Sequence, residues 1–143
     1  MRIVAIVQAR MGATRFPNKV MQPVEGRPMI GVLLGRLAKA RSVDQIVLAT
    51  SVDPRNEPLI TYVRGLGYDA YRGSETDVLD RYYQAAKQAR AEAVVRITGD
   101  CSLVDPQLVD SVVARFVASG ADYVSKVHPP TYPDRLDIVG FHF

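Results

Sequence analysis

The stretch QARMGATRFPNKV, residues 8–20, follows an apolar run at residues 3–7 that is typical of a strand buried on both faces. Within ten positions this stretch carries three cations, Arg10, Arg15 and Lys19. Strands buried on both faces are characteristic of parallel sheets that are covered by helices. The sequence therefore predicts an α/β sheet in which a basic loop lies at the carboxyl end of the first strand.

The basic loop predicts a binding site for a multiply charged anion. Ligands of parallel α/β sheets bind at the carboxyl ends of the strands, and a nucleoside triphosphate is an anion of suitable charge. Gly12 allows the backbone to approach phosphate oxygens, arginine can donate to two such oxygens, and Lys19 supplies a point charge. On spacing alone, three solvated loop charges explain the stretch equally well, because short motifs often occur by chance.

The rest of the chain alternates between strand and helix patterns, which predicts right-handed βαβ units and a single three-layer α/β domain over residues 1–143. Strands are predicted at residues 3–7, 45–50, 68–72, 93–98 and 121–125, and helices begin at Pro28, Pro54, about Thr76 and Pro106. The first helix has an apolar face of Ile30, Leu33, Leu34 and Leu37. In the long third helix the residues predicted to face inward are Val78, Tyr82, Ala86 and Ala89.

Composition narrows the classes of function. The formal net charge of +3 is small and spread along the chain, so nucleic acid is not an expected partner. The apolar start is too short to span a membrane and is soon followed by Arg10, so neither a signal peptide nor a membrane anchor is expected. The single cysteine, Cys101, cannot form an internal disulfide. These features predict a cytoplasmic protein.

The last segment, residues 126–143, differs from the rest. It holds three of the nine prolines and then an alternating run at residues 136–143. We expect an irregular tail or an edge strand. An unpaired apolar strand at the edge of a sheet would tend to pair with another chain. Two explanations stay open, namely a homodimer formed through this tail and a chain that is cut short of its full domain.

Three segments together resemble the cytidylyltransferase family of spore coat polysaccharide biosynthesis, which is related to the acylneuraminate and 3-deoxy-manno-octulosonate cytidylyltransferases. They are QARMGATRFPNKV, YRGSETDVLDRYYQAA and VVRITGDCSLVDP, and the match runs from residue 2 to about residue 125. The resemblance implies a Rossmann-like three-layer nucleotidyltransferase fold with a mostly parallel sheet. It also implies that the first loop binds a triphosphate, that the segment after the third strand contacts the nucleoside, and that the Gly-Asp pair binds magnesium.

Transferred to this sequence, the resemblance assigns the first-loop positions to Ala9, Arg10, Gly12, Arg15 and Lys19. Arg10 and Lys19 would neutralise phosphate charge, and Arg15 would steady the β- and γ-phosphates that leave as pyrophosphate. Cations that stabilise developing charge supply much of the catalysis in phosphoryl-type transfer. We therefore expect Arg10, Arg15 and Lys19 to be the catalytic residues.

The other two segments supply further candidates, each with a structural alternative. Arg72, Ser74 and Asp77 match the part of the family that meets the base and ribose, but Ser74 and Asp77 would also suit the start of the following helix. Asp100 is the expected Mg²⁺ ligand, since magnesium takes one or two carboxylates together with phosphate oxygens. Its alternative role is to cap a turn.

The implied reaction is an attack by a hydroxyl group of an acidic sugar on the α-phosphate of CTP. Its products are a CMP-sugar and pyrophosphate. Transfer of another nucleotide is less favoured, because the Gly-Gly start of uridylyl, thymidylyl and guanylyl relatives is absent at Gln8-Ala9. A truncated, non-catalytic nucleotide-binding domain is a further alternative. An NAD-binding Rossmann domain is disfavoured because no G-x-G-x-x-G follows the first strand.

Overall fold

Four adjacent parallel strands form most of the large sheet in the computed structural model, which describes residues 1–12 and 14–125 and the backbone of 139–142. The strands are β1 Ile3–Gln8, β2 Pro23–Val24, β3 Arg27–Pro28, β4 Gln45–Ser51, β5 Asp69–Gly73, β6 Ala93–Thr98, β7 Tyr123–Ser125 and β8 Val139–His142. The α-helices are α1 Met29–Leu37, α2 Glu57–Gly65, α3 Val78–Gln88 and α4 Pro106–Ser119. Two 3-10 turns, Lys19–Met21 and Pro54–Asn56, precede β2 and α2.

The order of the large sheet is β5-β4-β1-β6-β8-β7, and β5, β4, β1 and β6 are mutually parallel. From β1 the chain first proceeds outward to β4 and β5 and then returns to form β6 on the other side of β1. Strand order therefore reverses beside β1, and such a switch point opens a crevice at the carboxyl ends of the strands. The predicted α/β class with a mostly parallel sheet is confirmed.

Helices cover both faces of the sheet, as expected for three layers. Side chains of α1, α2 and α4 pack with Ile3, Ala5 and Val7 on one face, whereas α3 packs with Val4 and Ile6 on the other. The alternation of β1 residues between two apolar cores explains its continuous apolar sequence. None of the helices in the described ranges is both long and apolar enough to cross a membrane.

Helical periodicity predicted the buried face of α1 correctly, and that of α3 correctly at Tyr82 and Ala86 but not at Val78. All four predicted residues of α1 are fully buried, namely Ile30, Leu33, Leu34 and Leu37. In α3 the fully or nearly fully buried residues are Arg81, Tyr82, Ala85 and Ala86, while Ala89 is half-buried. Val78, which was predicted to face inward, is 36% exposed, because the first turn of α3 borders an open cavity instead of the core.

The described part of the tail lies inside the sheet and not at its edge. Val139–His142 forms β8, which pairs antiparallel with β6 on one side and with β7 on the other. This backbone thus has partners within the chain on both sides. The remainder of the predicted tail, residues 126–138 and 143, falls outside the described residues, and the homodimer through this tail stays a prediction.

Candidate active site

The loop after β1 is held by backbone hydrogen bonds at the carboxyl edge of the sheet. Ala9 is buried and its N–H donates to the carbonyl of Ala49, 3.3 Å away, in the neighbouring strand β4. The N–H of Asn18 donates to the carbonyl of Met11 over 2.9 Å, which closes the loop on itself. Lys19 follows directly, so closure of the loop brings this lysine back toward the end of the sheet.

The loop after β6 meets the first loop at very short range. The N–H of Gly99 donates to the carbonyl of Gln8 over 2.7 Å. A Cβ atom at Gly99 would lie 2.7 Å from both that carbonyl oxygen and the Cβ of Ala9, so only glycine fits without movement of its neighbours. Asp100 is consequently placed beside the first loop, where Lys19 Nζ lies 3.6 Å from its Oδ2.

The segment after β5 contributes the other carboxylate that faces the first loop. Arg10 Nη1 lies 3.5 Å from Glu75 Oε1, and both side chains are partly exposed. Arg81 is buried in α3 and donates to the carbonyls of Ser74 and Glu75 over 2.8 and 3.0 Å, which holds this segment against the helix. Neither Glu75 nor Arg81 was predicted, although both stand inside the segment YRGSETDVLDRYYQAA.

A further cation, Arg55, lies next to the first loop. Gly12 is half-buried, and a Cβ atom there would approach Arg55 Nη2 to 3.0 Å. Arg55 also donates from Nε to Asp53 over 2.8 Å, and this hydrogen bond lowers the pKa of Asp53 below its usual value. The same partner raises the pKa of Arg55. Arg15 is exposed on the loop.

The three predicted nucleoside contacts have structural roles in this fold. Arg72 donates to Glu57 over 2.8 Å and to the carbonyl of Val52 over 3.3 Å, so it joins β5 to α2 and the end of β4. Ser74 Oγ accepts from the N–H of Asp77 over 3.0 Å. Asp77 in turn caps α3, since its Oδ1 accepts from the N–H of Asp80 over 2.9 Å. The capping alternative is therefore present, and contact with a nucleoside at these residues stays a prediction.

A cavity of about 590 Å³ lies between the start of α3 and β6. Tyr82 and Arg96 line it, and the Arg96 guanidinium lies 5.4 Å from the centroid of the tyrosine ring. Burial raises the pKa of Tyr82, and the positive charge of Arg96 opposes that rise only in part. Asp77 and Leu79 also line this cavity, which thus reaches the segment after β5.

The donor set near Asp100 is compatible with magnesium. Among the residues that the structure describes, no three or more His, Cys, Asp or Glu side chains form a cluster that could hold a metal ion. Asp100 is 57% exposed in its side chain and stands at the ligand-binding edge of the sheet. Magnesium commonly takes one or two carboxylates and completes its shell with phosphate oxygens and water. The exposed carboxylate of Asp100, beside the basic first loop, fits that requirement.

Comparison with known proteins gives the family. A family model described as cytidylyltransferase matches residues 4–132. The spore coat polysaccharide biosynthesis protein SpsF of Bacillus subtilis is 33% identical over 132 residues, which are 90% of this chain and 55% of SpsF. The chain spans about half the length of the curated relatives it matches.

Solved structures share the fold of this chain. A cytidylyltransferase from Leptospira borgpetersenii superposes with a TM-score of 0.94 at 29% identity, over 99% of this chain and 60% of that one. CMP:2-keto-3-deoxy-manno-octonic acid synthetase, solved in complex with CTP, gives a TM-score of 0.76 at 18% identity, over 99% of this chain and 74% of that one. The basic loop, the tight contact of Gly99 with that loop and the sheet order thus occur in a chain that belongs to the cytidylyltransferase family.

Proposed function

We propose that this chain transfers CMP from CTP to a hydroxyl group of an acidic sugar and releases pyrophosphate. In this reaction the sugar oxygen forms a bond to the α-phosphorus, and the bond from that phosphorus to the oxygen bridging to the β-phosphate breaks. The observation that carries the proposal is the position of Lys19 beside Asp100, at the carboxyl edge next to the switch point of the sheet. Membership of the cytidylyltransferase family supports CTP as the nucleotide.

The first loop would bind the triphosphate. Lys19 and Arg10 neutralise phosphate charge, and Arg15 steadies the β- and γ-phosphates as they leave. Ala9 and Gly12 allow the backbone to approach the phosphate oxygens, because neither has a side chain that extends over the loop. Fixed cations stabilise the charge that develops on the leaving pyrophosphate, which is the main electrostatic requirement of this chemistry.

Asp100 would hold Mg²⁺ at this site. When bound, the ion supplies positive charge that offsets the charge of the phosphates. The neighbouring amine of Lys19 keeps the carboxylate of Asp100 turned toward the crevice, since the two groups attract one another at 3.6 Å. We further propose that Arg72, Ser74 and Asp77 contact the base and ribose in addition to their roles in the fold.

The chemistry also implies a biological setting. A CMP-sugar would serve the synthesis of a surface polysaccharide, in keeping with the name of the SpsF relative. Use of CTP would place the reaction in the cytoplasm.

The test combines binding with turnover. The chain is titrated with each of the four ribonucleoside triphosphates in the presence of Mg²⁺, and the shift in unfolding temperature is followed. Pyrophosphate release is then measured with a panel of acidic sugars. We expect CTP to give the largest stabilisation and at least one sugar to trigger release. Stabilisation by CTP without release over the whole panel would contradict the transferase and favour a nucleotide-binding domain without catalysis.

A further inference from the structure

Asn56 is a fully buried amide that links two loops at the carboxyl edge of the sheet. It is 1% exposed and ends the 3-10 turn Pro54–Asn56. Its Oδ1 accepts from the N–H of Met11 over 2.8 Å. Its Nδ2 donates to Ser51 Oγ over 2.7 Å and to the carbonyl of Ser51 over 3.3 Å. The amide oxygen and the amide nitrogen therefore both have partners.

Complete burial of an asparagine requires an explanation. Asparagine is mostly exposed in folded proteins, and an amide that loses water is costly unless protein groups replace the hydrogen bonds. Here the replacement is complete, and one of the three bonds crosses to the first loop. An apolar residue of similar size would fill the same space at no such cost, but it could not accept from Met11.

The bond from Met11 fixes the middle of the proposed phosphate-binding loop. Met11 lies between Arg10 and Gly12, and its side chain is 8% exposed in the core. Its N–H is held by Asn56, and its carbonyl accepts from the N–H of Asn18, directly before Lys19. The peptide groups on both sides of Met11 are thus tied, one through Asn56 to Ser51 at the end of β4 and one to the return of the loop.

We propose that Asn56 is a positioning residue for the first loop, acting through the main chain of Met11. By fixing this backbone it sets the directions in which Arg10 and Lys19 leave the loop. A loop that is ordered before binding loses less entropy when the ligand arrives, so the affinity for a polyphosphate rises. The effect on the nucleotide rests on the proposed function, whereas the effect on the loop does not.

The competing explanation is that Asn56 only adds to overall stability, and a matched control separates the two. Asp110 also makes side-chain hydrogen bonds to another segment, since it accepts from the N–H of Arg41 and from the N–H and Oγ of Ser42. Those bonds lie before the start of β4, at the end of the sheet opposite to the loop. Asp110→Ala therefore destabilises the fold away from the site, while Asn56→Ala removes the bond to Met11.

Hydrogen exchange of the whole chain without nucleotide is the first measurement. We expect Asn56→Ala to speed exchange of the Met11 amide by about tenfold or more, because a buried donor loses its partner. Asp110→Ala should leave that amide as protected as in the native chain. Ser51→Ala removes one hydrogen bond of Asn56 but keeps the asparagine, and it should give a smaller increase in the exchange rate of the Met11 amide. This variant replaces Asn56→Ala in the comparison if Asn56→Ala does not fold. Equal exchange at Met11 in the Asn56 and Asp110 variants would overturn the proposal.

Nucleotide affinity is the second measurement, made at a temperature at which all variants are folded. We expect Asn56→Ala to weaken CTP binding by about tenfold, with Asp110→Ala unchanged. Weaker binding in both Asn56→Ala and Asp110→Ala would overturn the proposal. A native chain that binds no triphosphate would contradict the proposed function, and the exchange comparison would still decide the role of Asn56.

Discussion

The amine of Lys19 and the carboxylate of Asp100 lie 3.6 Å apart, although they come from loops that follow two different strands. Both side chains are substantially exposed, at 41% and 57%, so the pair adds little to stability. Its importance is its position, since β1 and β6 are adjacent and parallel and both loops leave at the carboxyl edge. The proposed function requires a cation and a carboxylate at one crevice, to bind a phosphate and its metal ion.

Replacement of the lysine should separate function from stability. We expect Lys19→Met to change the free energy of unfolding by less than about 1 kcal/mol, since exposed ion pairs contribute little. CTP affinity should fall by at least about tenfold, because hydrogen bonds to charged groups contribute about 1.5–3 kcal/mol. Denaturant unfolding and calorimetric titration measure the two quantities. Lys39→Met, at an exposed lysine after α1, is the control and should change neither the free energy of unfolding nor the CTP affinity. Unaltered CTP affinity in Lys19→Met would remove this residue from the site.

Replacement of the proposed metal ligand should affect the response to Mg²⁺. We expect Asp100→Asn to fold normally and to lose most of the Mg²⁺-dependent increase in CTP affinity, because a neutral amide is a poor magnesium ligand. Removal of divalent cations from the native chain with a chelator should have the same effect. The measurement is CTP titration at several Mg²⁺ concentrations.

Asp105 provides the control for Asp100. Asp105 caps α4 through its bond from the N–H of Gln107, and asparagine caps a helix as well as aspartate does. Asp105→Asn should therefore bind CTP with the native dependence on Mg²⁺. The same loss in both variants would mean that general negative charge is responsible, and not Asp100 as a ligand.

The close contact of Gly99 with the first loop predicts a cost for any larger residue. We expect Gly99→Ala to lower the free energy of unfolding by about 1–3 kcal/mol and to weaken CTP binding, since the added methyl group would push Ala9 and Asp100 apart. Gly35→Ala in α1 is the matched control, because nothing lies within 4 Å of a Cβ atom there. That variant should gain up to about 1 kcal/mol from helix propensity. Chemical denaturation distinguishes the two, and native stability in Gly99→Ala would show that the loops can separate freely.

The sequence predicted the layers of the fold because its apolar periodicity follows burial. The face of α1 and the continuous apolar run of β1 could be derived from spacing, since each buries its side chains against a regular partner. Spacing failed at Val78, where the helix starts beyond the edge of the core. A local pattern does not show how far a neighbouring layer extends.

The candidate site was predicted only in part, for a related reason. The cations of the first loop and the carboxylate of Asp100 follow strands, so a parallel sheet brings them to one edge. Glu75 and Asn56 could not be predicted in this way, because their contacts with Arg10 and Met11 depend on the precise paths of loops that are distant in sequence. Such specific contacts have no period and leave no signature in a single sequence.

The hydrogen bonds of Asp110 predict a stability effect that depends on pH. Partial burial acts to raise the pKa of Asp110, but the bonds from Ser42 and from the N–H of Arg41 outweigh it, and the pKa lies below its usual value. Because its pKa is lower in the folded than in the unfolded chain, the ionised carboxylate of Asp110 stabilises the fold above about pH 4. This stabilisation is lost as the pH falls through the pKa of the folded chain.

We expect Asp110→Ala to unfold at a lower temperature than the native chain by a constant margin between about pH 5 and 7, equivalent to about 1–3 kcal/mol. The margin should shrink below about pH 4, where the native carboxylate also becomes protonated. Thermal unfolding over this pH range measures it, with Asp122→Ala, at an exposed carboxylate, as the control. A margin that stayed constant down to about pH 2 would mean that the charge of Asp110 contributes nothing and that only its packing is lost.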